Sequence, residues 1–193
     1  SISGTVSDGD GDNVTVSATI DEEQATDTVT GGDGNWTLTW DIDTLGISEG
    51  TYNNITFTAD DGNSGTDTVD YTGNIVVDTT APTLLSATRD SNTQITVTLS
   101  ENCENLTGGF TVLETGEVSI SYPISSTSQG ADASQVVLMV ADMSISAKEG
   151  VTVKYTAGGS GQIQDIAGNA LATDDTGVSI AGWDTIPATI ESG

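Results

Sequence analysis

The chain has no histidine, a single cysteine and only 3 Lys+Arg among its 193 residues, set against 29 Asp+Glu. Each shortage removes a class of function. Without His there is no Ser-His-Asp triad, and the Gly-rich stretches lack the Lys and the following helix of a phosphate-binding loop, so the sequence points away from catalysis. Paired carboxylates of the glycosidase kind arise by chance among so many acids and single out nothing. Cys103, alone, makes no internal disulfide and, with no partner ligand, no zinc site; it reads as a small packing residue. The scarcity of Lys and Arg excludes nucleic acid and anionic lipid as partners, because phosphate binding needs cationic side chains in number. No apolar run approaches the ~20 residues of a membrane span, so no membrane insertion by this segment is expected. No basic and apolar leader opens the chain and Ser1 is not an initiator Met, which reads as a processed protein or an excised fragment.

What is present is alternation. Val14, Val16, Ala18 and Ile20 alternate with Thr15, Ser17 and Thr19, which puts one apolar and one hydroxyl face on a half-buried strand. The same period of two recurs at Trp36, Leu38, Trp40 and Ile42, at Ile55, Phe57 and Ala59, and at Val69 and Tyr71. Further along it returns at Ile95, Val97 and Leu99, at Phe110 and Val112, at Val118 and Ile120, from Val136 to Val140, and at Val151, Val153 and Tyr155. A last strand is expected over Gly177 to Ala181. Gly, Asp and Asn separate these runs, at Asp8 to Asn13, Gly31 to Gly34 and Asp60 to Gly65. No stretch carries a helical period for long, although Glu101 to Thr107 suits a single turn.

The chain also repeats a phrase. Asp78-Thr79-Thr80-Ala81-Pro82-Thr83 returns as Asp184-Thr185-Ile186-Pro187-Ala188-Thr189, roughly a hundred residues on, the length of one β-sandwich module. The expectation is all-β: two tandem antiparallel β-sandwiches, residues 1–80 and 81–183, followed by 184–193 as a linker, the start of a further repeat or a terminal tail. Pro82 fixes its own φ and biases Ala81 toward extended backbone, so the joint is expected to be stiff.

The net charge of −26 sets the chemistry. Self-repulsion of that size is relieved by divalent cations or by salt, although acidity also simply keeps a protein in solution. In Asp8-Gly9-Asp10-Gly11-Asp12, carboxylates alternate with Gly in a manner that lets a short loop curl oxygens around a hard cation such as Ca2+. It is not an EF-hand, since Thr19 stands at the twelfth position and a strand follows. The plainer alternative is a solvated turn in which the Asp side chains bond their own backbone. With alternating strands, the first loop of a seven-strand sandwich lies at the end from which the last strand exits, which places Asp8, Asp10 and Asp12 beside Asp78. The candidate Ca2+ ligands are therefore Asp8, Asp10, Asp12, Asp60, Asp61, Asp78, Asp165 and Asp184. For Asp165 the competing role is structural, bonding the backbone of the turn up to Asn169. Trp36 and Trp40 share a face with Leu38 and read as core in preference to a sugar-stacking platform. Asn13, Asn35, Asn54 and Asn105 begin Asn-x-Thr sequons, of a kind that a Thr-rich chain produces by chance.

Through Ile2-Ser3-Gly4-Thr5-Val6, Asn35-Trp36, Gly50-Thr51-Tyr52 and Val76-Val77-Asp78-Thr79-Thr80-Ala81-Pro82, the first module resembles the bacterial Ig-like repeats of large surface proteins and adhesins. The second resembles the SwmB-like repeats, through Ile95 to Glu101, Phe110-Thr111-Val112, Val151 to Thr156 and Ile163-Gln164-Asp165-Ile166-Ala167-Gly168-Asn169-Ala170. The resemblance implies an extracellular or cell-surface stalk that works in adhesion as a spacer, with Ca2+ stiffening its module joints and neighbouring Ig-like repeats or subunits as partners. Two other roles stay open: a module gripping a glycan or surface protein, and a filament subunit that adds its tail as a strand to a neighbour. Lys-Asn crosslinks occur in some Ig-like surface proteins, but the first module has no Lys, Lys154 alternates with inward residues and Lys148 belongs to a turn.

Overall fold

The computed structural model describes residues 1–114, 119–144, 150–158 and 162–182. Val118, Lys148, Asp184 and the whole segment 184–193 lie outside these residues. The chain divides into two compact units, unit 1 from Ser1 to Thr79 and unit 2 from Thr80 to Gly193, each with a hydrophobic core of its own. Among the described residues both are built of strands, with one helical turn.

Unit 1 runs β1 (Ile2–Val6), β2 (Val14–Ile20), β3 (Glu23–Val29), β4 (Gly34–Leu38), α1 (Ile42–Leu45), β5 (Gly50–Tyr52), β6 (Ile55–Asp60), β7 (Thr66–Tyr71) and β8 (Ile75–Val77). A four-stranded antiparallel sheet is ordered β3-β2-β6-β7, and the pairs β1-β4 and β5-β8 form separate ladders. Alternation does what its period predicts: Val14, Val16, Ala18 and Ile20 are buried while the intervening hydroxyls face outward. Leu38 is wholly buried, Trp36 stacks at a tilt 5.4 Å from Phe57, and Phe57 meets the edge of Tyr71 at 6.1 Å. Gly4 lies opposite Trp36 in the β1-β4 ladder, where a Cβ would come within 2.6 Å of the indole, so the close approach of ring and backbone requires glycine.

Two sequence expectations fail in unit 1 for local reasons. Ile42 does not extend the Trp36 strand. Asp41 accepts a backbone bond from Thr44 at 3.2 Å and its hydroxyl bond at 2.9 Å, an N-cap that turns the chain into α1 until Gly46 ends it with a left-handed φ of 68°. Strand β3 was not foreseen, because the β2-β3 hairpin turns through Asp21 and Glu22, at φ of 49° and 69°, without glycine or asparagine.

Unit 2 runs β9 (Leu84–Ser91), β10 (Gln94–Leu99), β11 (Cys103–Glu104), β12 (Phe110–Glu114), β13 (Ile120–Tyr122), β14 (Ile124–Gln129), β15 (Gln135–Val140), β16 (Val151–Tyr155), β17 (Gln164–Asp165) and β18 (Asp174–Ala181). One eight-stranded sheet is ordered β13-β12-β16-β18-β9-β10-β15-β14, and β11 pairs with β17. Its two edge strands, β13 and β14, are consecutive in the chain and separated by Pro123 alone, so the sheet curls until its edges meet and encloses the core. Inside lie Ile95, Val97, Val136, Leu138 and Val153, all fully buried, and Phe110 set edge-on to Tyr155 at 5.2 Å. The ladders are not all antiparallel as expected: β9 and β18, first and last among the described strands of the unit, run parallel through Ala87 with Ile180 and Thr88 with Ala181. The turn expected over Glu101 to Thr107 is instead β11 and a loop, and the last strand begins at Asp174.

Candidate functional site

Many carboxylates of unit 1 fall in the turns at its two ends, while Asp27, Asp67 and Asp70 lie within strands β3 and β7. At one end, the β1-β2, β3-β4 and β6-β7 connections come together. Asp8 Oδ1 accepts from the backbone of Asp10 at 2.9 Å and of Gly11 at 3.0 Å, and the Asp8 amide donates to Asp33 at 3.1 Å. Asn63 donates its side-chain amide to Asp12 at 2.7 Å, which ties the β6-β7 turn to the first loop. Asp60 accepts from Gly62, and Asp61 from Asn63 and Gly65, at 2.7 to 2.9 Å. These are Asx-type turns, in which each carboxylate satisfies backbone donors that the bend exposes. An open depression of about 450 Å³ beside them is lined by Asp8, Asp61, Asp67, Thr5 and Ser7. Among the described residues, Asp8, Asp10, Asp12, Asp60 and Asp61 supply no group of three oxygens within 4.8 Å of one another.

Asp78 stands at the other end. Val77 pairs with Gly50, the Thr79 hydroxyl donates to Glu49 at 3.4 Å, and Ser1, Ile2 and Ile20 line the same apolar recess as Val76 and Val77. The expectation that Asp8, Asp10 and Asp12 sit beside Asp78 is therefore corrected. Residues 41 to 53 do not cross the unit; they make α1 and the short β5 at one end, so the chain leaves unit 1 where it entered. Asp21 belongs to this end as well. The Ser48 backbone N–H, donating at 2.7 Å, is the main reason its carboxyl lies below the usual range, and the Ser48 hydroxyl adds to it. Tyr52, partly desolvated and close to the Asp21 charge, has its phenol pushed up.

Among its described residues, unit 2 buries two acids, Glu114 and Asp165. Asp165, 2% exposed, accepts from the Asn169 backbone and from the Asn169 side-chain amide, each at 2.8 Å. Desolvation raises its pKa. The bonds from the Asn169 side chain and from the backbone of Asn169, Gly168 and Ala167 outweigh that effect and leave the carboxyl below its ordinary value. Gly168, at φ of 98°, gives the turn the conformation these bonds need. The structural role expected of Asp165 is thus visible in its partners. Cys103 pairs with Asp165 across β11 and β17; burial, then the Glu101 and Asp165 charges, push its thiol up to about 11, so it stays protonated.

Three residues, Asp33, Asn63 and Glu114, escaped sequence reasoning. Asp33 and Asn63 knit the acidic end together although they are distant in sequence from Asp8 and Asp12; the turns at Gly31 to Gly34 and Asp60 to Gly65 locate these residues but not the bonds they make. Glu114 is buried and accepts a 2.6 Å bond from the Tyr122 hydroxyl. Its signal was plain in retrospect, since Phe110, Val112 and Glu114 share one face of β12. Trp36 is buried and Trp40 packs against the core with its indole N–H donated to the Glu23 carbonyl at 3.0 Å, so neither ring is free to stack on a ligand. No helix among the described residues is long and apolar enough to cross a membrane. No family model, curated protein or solved structure matches the chain.

Proposed function

We propose that this chain is a spacer segment of a secreted or cell-surface repeat protein, made of Ig-like β-sandwich units whose carboxylates take up Ca2+ and stiffen the array. The observation that carries the reading is the succession of two β units, each with its own core, along a chain of net charge −26. Such a chain is strongly self-repelling, and a divalent ion held by the folded form relieves that repulsion where it is strongest. Adhesion is then the work of other parts of the parent protein, and this segment sets their distance.

Filament assembly by strand addition draws on β7, every residue of which is exposed and which closes one side of its sheet. Asp67 and Asp70 on that strand oppose the approach of another acidic chain, so the spacer reading is preferred. Glycan binding finds little support in aromatics, since Tyr71 is the one ring among the large exposed apolar side chains of the described residues.

Thermal melts in millimolar Ca2+ and in EDTA, at matched ionic strength, test the cation. A hundredfold excess over Kd adds about 2.7 kcal/mol to the folded state, a rise of several degrees in Tm for units of this size. Superimposable melts reject Ca2+ uptake, and saturable binding on a glycan array replaces the spacer by a binding module.

A further inference from the structure

Asn13, Asn35, Asn54 and Asn105 are all exposed, and each opens an Asn-x-Thr sequon whose middle residue, Val14, Trp36, Ile55 or Leu106, is buried. An exposed amide is only part of what an N-glycan acceptor needs. The transferase takes all three residues into its own cleft, so a sequon held in a β-ladder must first break that ladder.

On this criterion the sites separate. The whole of Asn35-Trp36-Thr37 lies in β4, paired with β1, and the Thr37 amide donates to Asp27 at 2.7 Å. Asn13 holds the Gly31 amide at 3.1 Å through its Oδ1, and its Val14 and Thr15 belong to β2, bonded on both sides. Asn54 stands in a turn at φ of 56°, but Ile55 and Thr56 are in β6, and the Thr56 hydroxyl donates to Asp70 at 2.7 Å. Asn105-Leu106-Thr107 alone lies entirely between strands, after β11 and before β12. Asn105 has a φ of 55°, the Thr107 amide closes a tight turn onto the Asn105 carbonyl at 2.6 Å, and Gly108 and Gly109 follow at φ of 83° and 76°. Asn105 and Thr107 are both exposed, and Leu106 is anchored at 8% exposure.

We propose that Asn105 is the N-glycan acceptor of this chain, modified from a sugar donor linked through diphosphate to a polyprenol. The Asn105 Nδ2 forms a bond to the anomeric carbon, the bond from that carbon to the diphosphate oxygen breaks with its electron pair, and the amide gives up one proton. The products are the glycosylated amide and the polyprenyl diphosphate. The site does not depend on the spacer reading and adds a bulky hydrophilic group to unit 2.

The test uses an oligosaccharyltransferase for which four isolated peptides, one spanning each sequon, are all substrates. The folded full-length chain is then incubated with that enzyme and a polyprenyl-diphosphate oligosaccharide, and site occupancy is read by peptide mapping and mass spectrometry. Asn105 is expected to be modified at least about tenfold faster than the other three, whose access waits on local opening. Both Asn105→Gln and Thr107→Ala should abolish that modification while the circular dichroism spectrum is retained. An unmodified Asn105 in the folded chain, or equal rates at Asn13, Asn35 or Asn54, overturns the proposal.

Discussion

Unit 1 carries its described carboxylates on its surface, many in the turns at its two ends, whereas unit 2 also folds two inside, Glu114 and Asp165. The cores differ in the same sense. Among the described residues, unit 1 divides its strands among three sheets and has one core side chain with no exposure, Leu38, whereas unit 2 wraps an eight-stranded sheet around several. An acid in a solvated turn adds little stability and responds to ionic strength, while a buried one must be matched by donors and responds to the loss of any of them. The two units are thus expected to fail under different conditions.

The largest expected effect tests whether the slighter core of unit 1 still depends on one ring. Trp36→Ala should cost about 3 to 5 kcal/mol. Hydrogen exchange read peptide by peptide should show the loss confined to residues 1–79, and a loss shared by both units would deny that their cores are separate. Next comes the buried acid of unit 2. Tyr122→Phe removes the 2.6 Å donor to Glu114 and should lower the stability of unit 2 by about 1 to 3 kcal/mol in denaturant titrations, leaving unit 1 unchanged. A neutral result would mean that Glu114 is satisfied without the phenol.

Much of the contrast was legible in the sequence. The period of two located β2, β10, β15 and β16 and their buried faces, because each places an apolar residue at every second position of a half-buried ladder. What escaped was set by single side chains and by topology. Asp21-Glu22 turns a hairpin at positive φ without the glycine or asparagine that marks such a turn, and Asp41 caps a helical turn inside an apolar alternation. Where Asp8 lies relative to Asp78 depends on whether residues 41 to 53 cross the unit, which no local pattern encodes.

Acid sharpens the comparison further. The folded pKa of Asp165 lies below the unfolded value of about 3.9. Its stabilisation is therefore complete above that value and is lost as the pH falls through the folded pKa. Asp165→Asn should flatten this part of the acid profile of unit 2, seen as a smaller drop in Tm below about pH 4 than in the wild type. An unchanged slope would assign the drop to other carboxylates. The smallest effect is expected at the tips of unit 1, where Asp12→Asn should change stability by no more than about 0.5 kcal/mol. Added NaCl should stabilise unit 1 more than this substitution does, and a larger mutational loss would show that the Asn63 bond to Asp12 holds the two turns together.

The direction of the terminal strands also decides how each unit carries tension. In unit 2 the first and last described strands are parallel neighbours, so a pull applied before β9 and after β18 drags them past each other and loads the bonds at Ala87 and Thr88 together, in shear. In unit 1 the chain enters and leaves at one end, and the same pull peels β1 from β4 beginning at the Ile2–Leu38 pair, one bond after another. Under a stretching force unit 1 should yield first and lengthen as a shock absorber, while unit 2 stays folded as the stiff link.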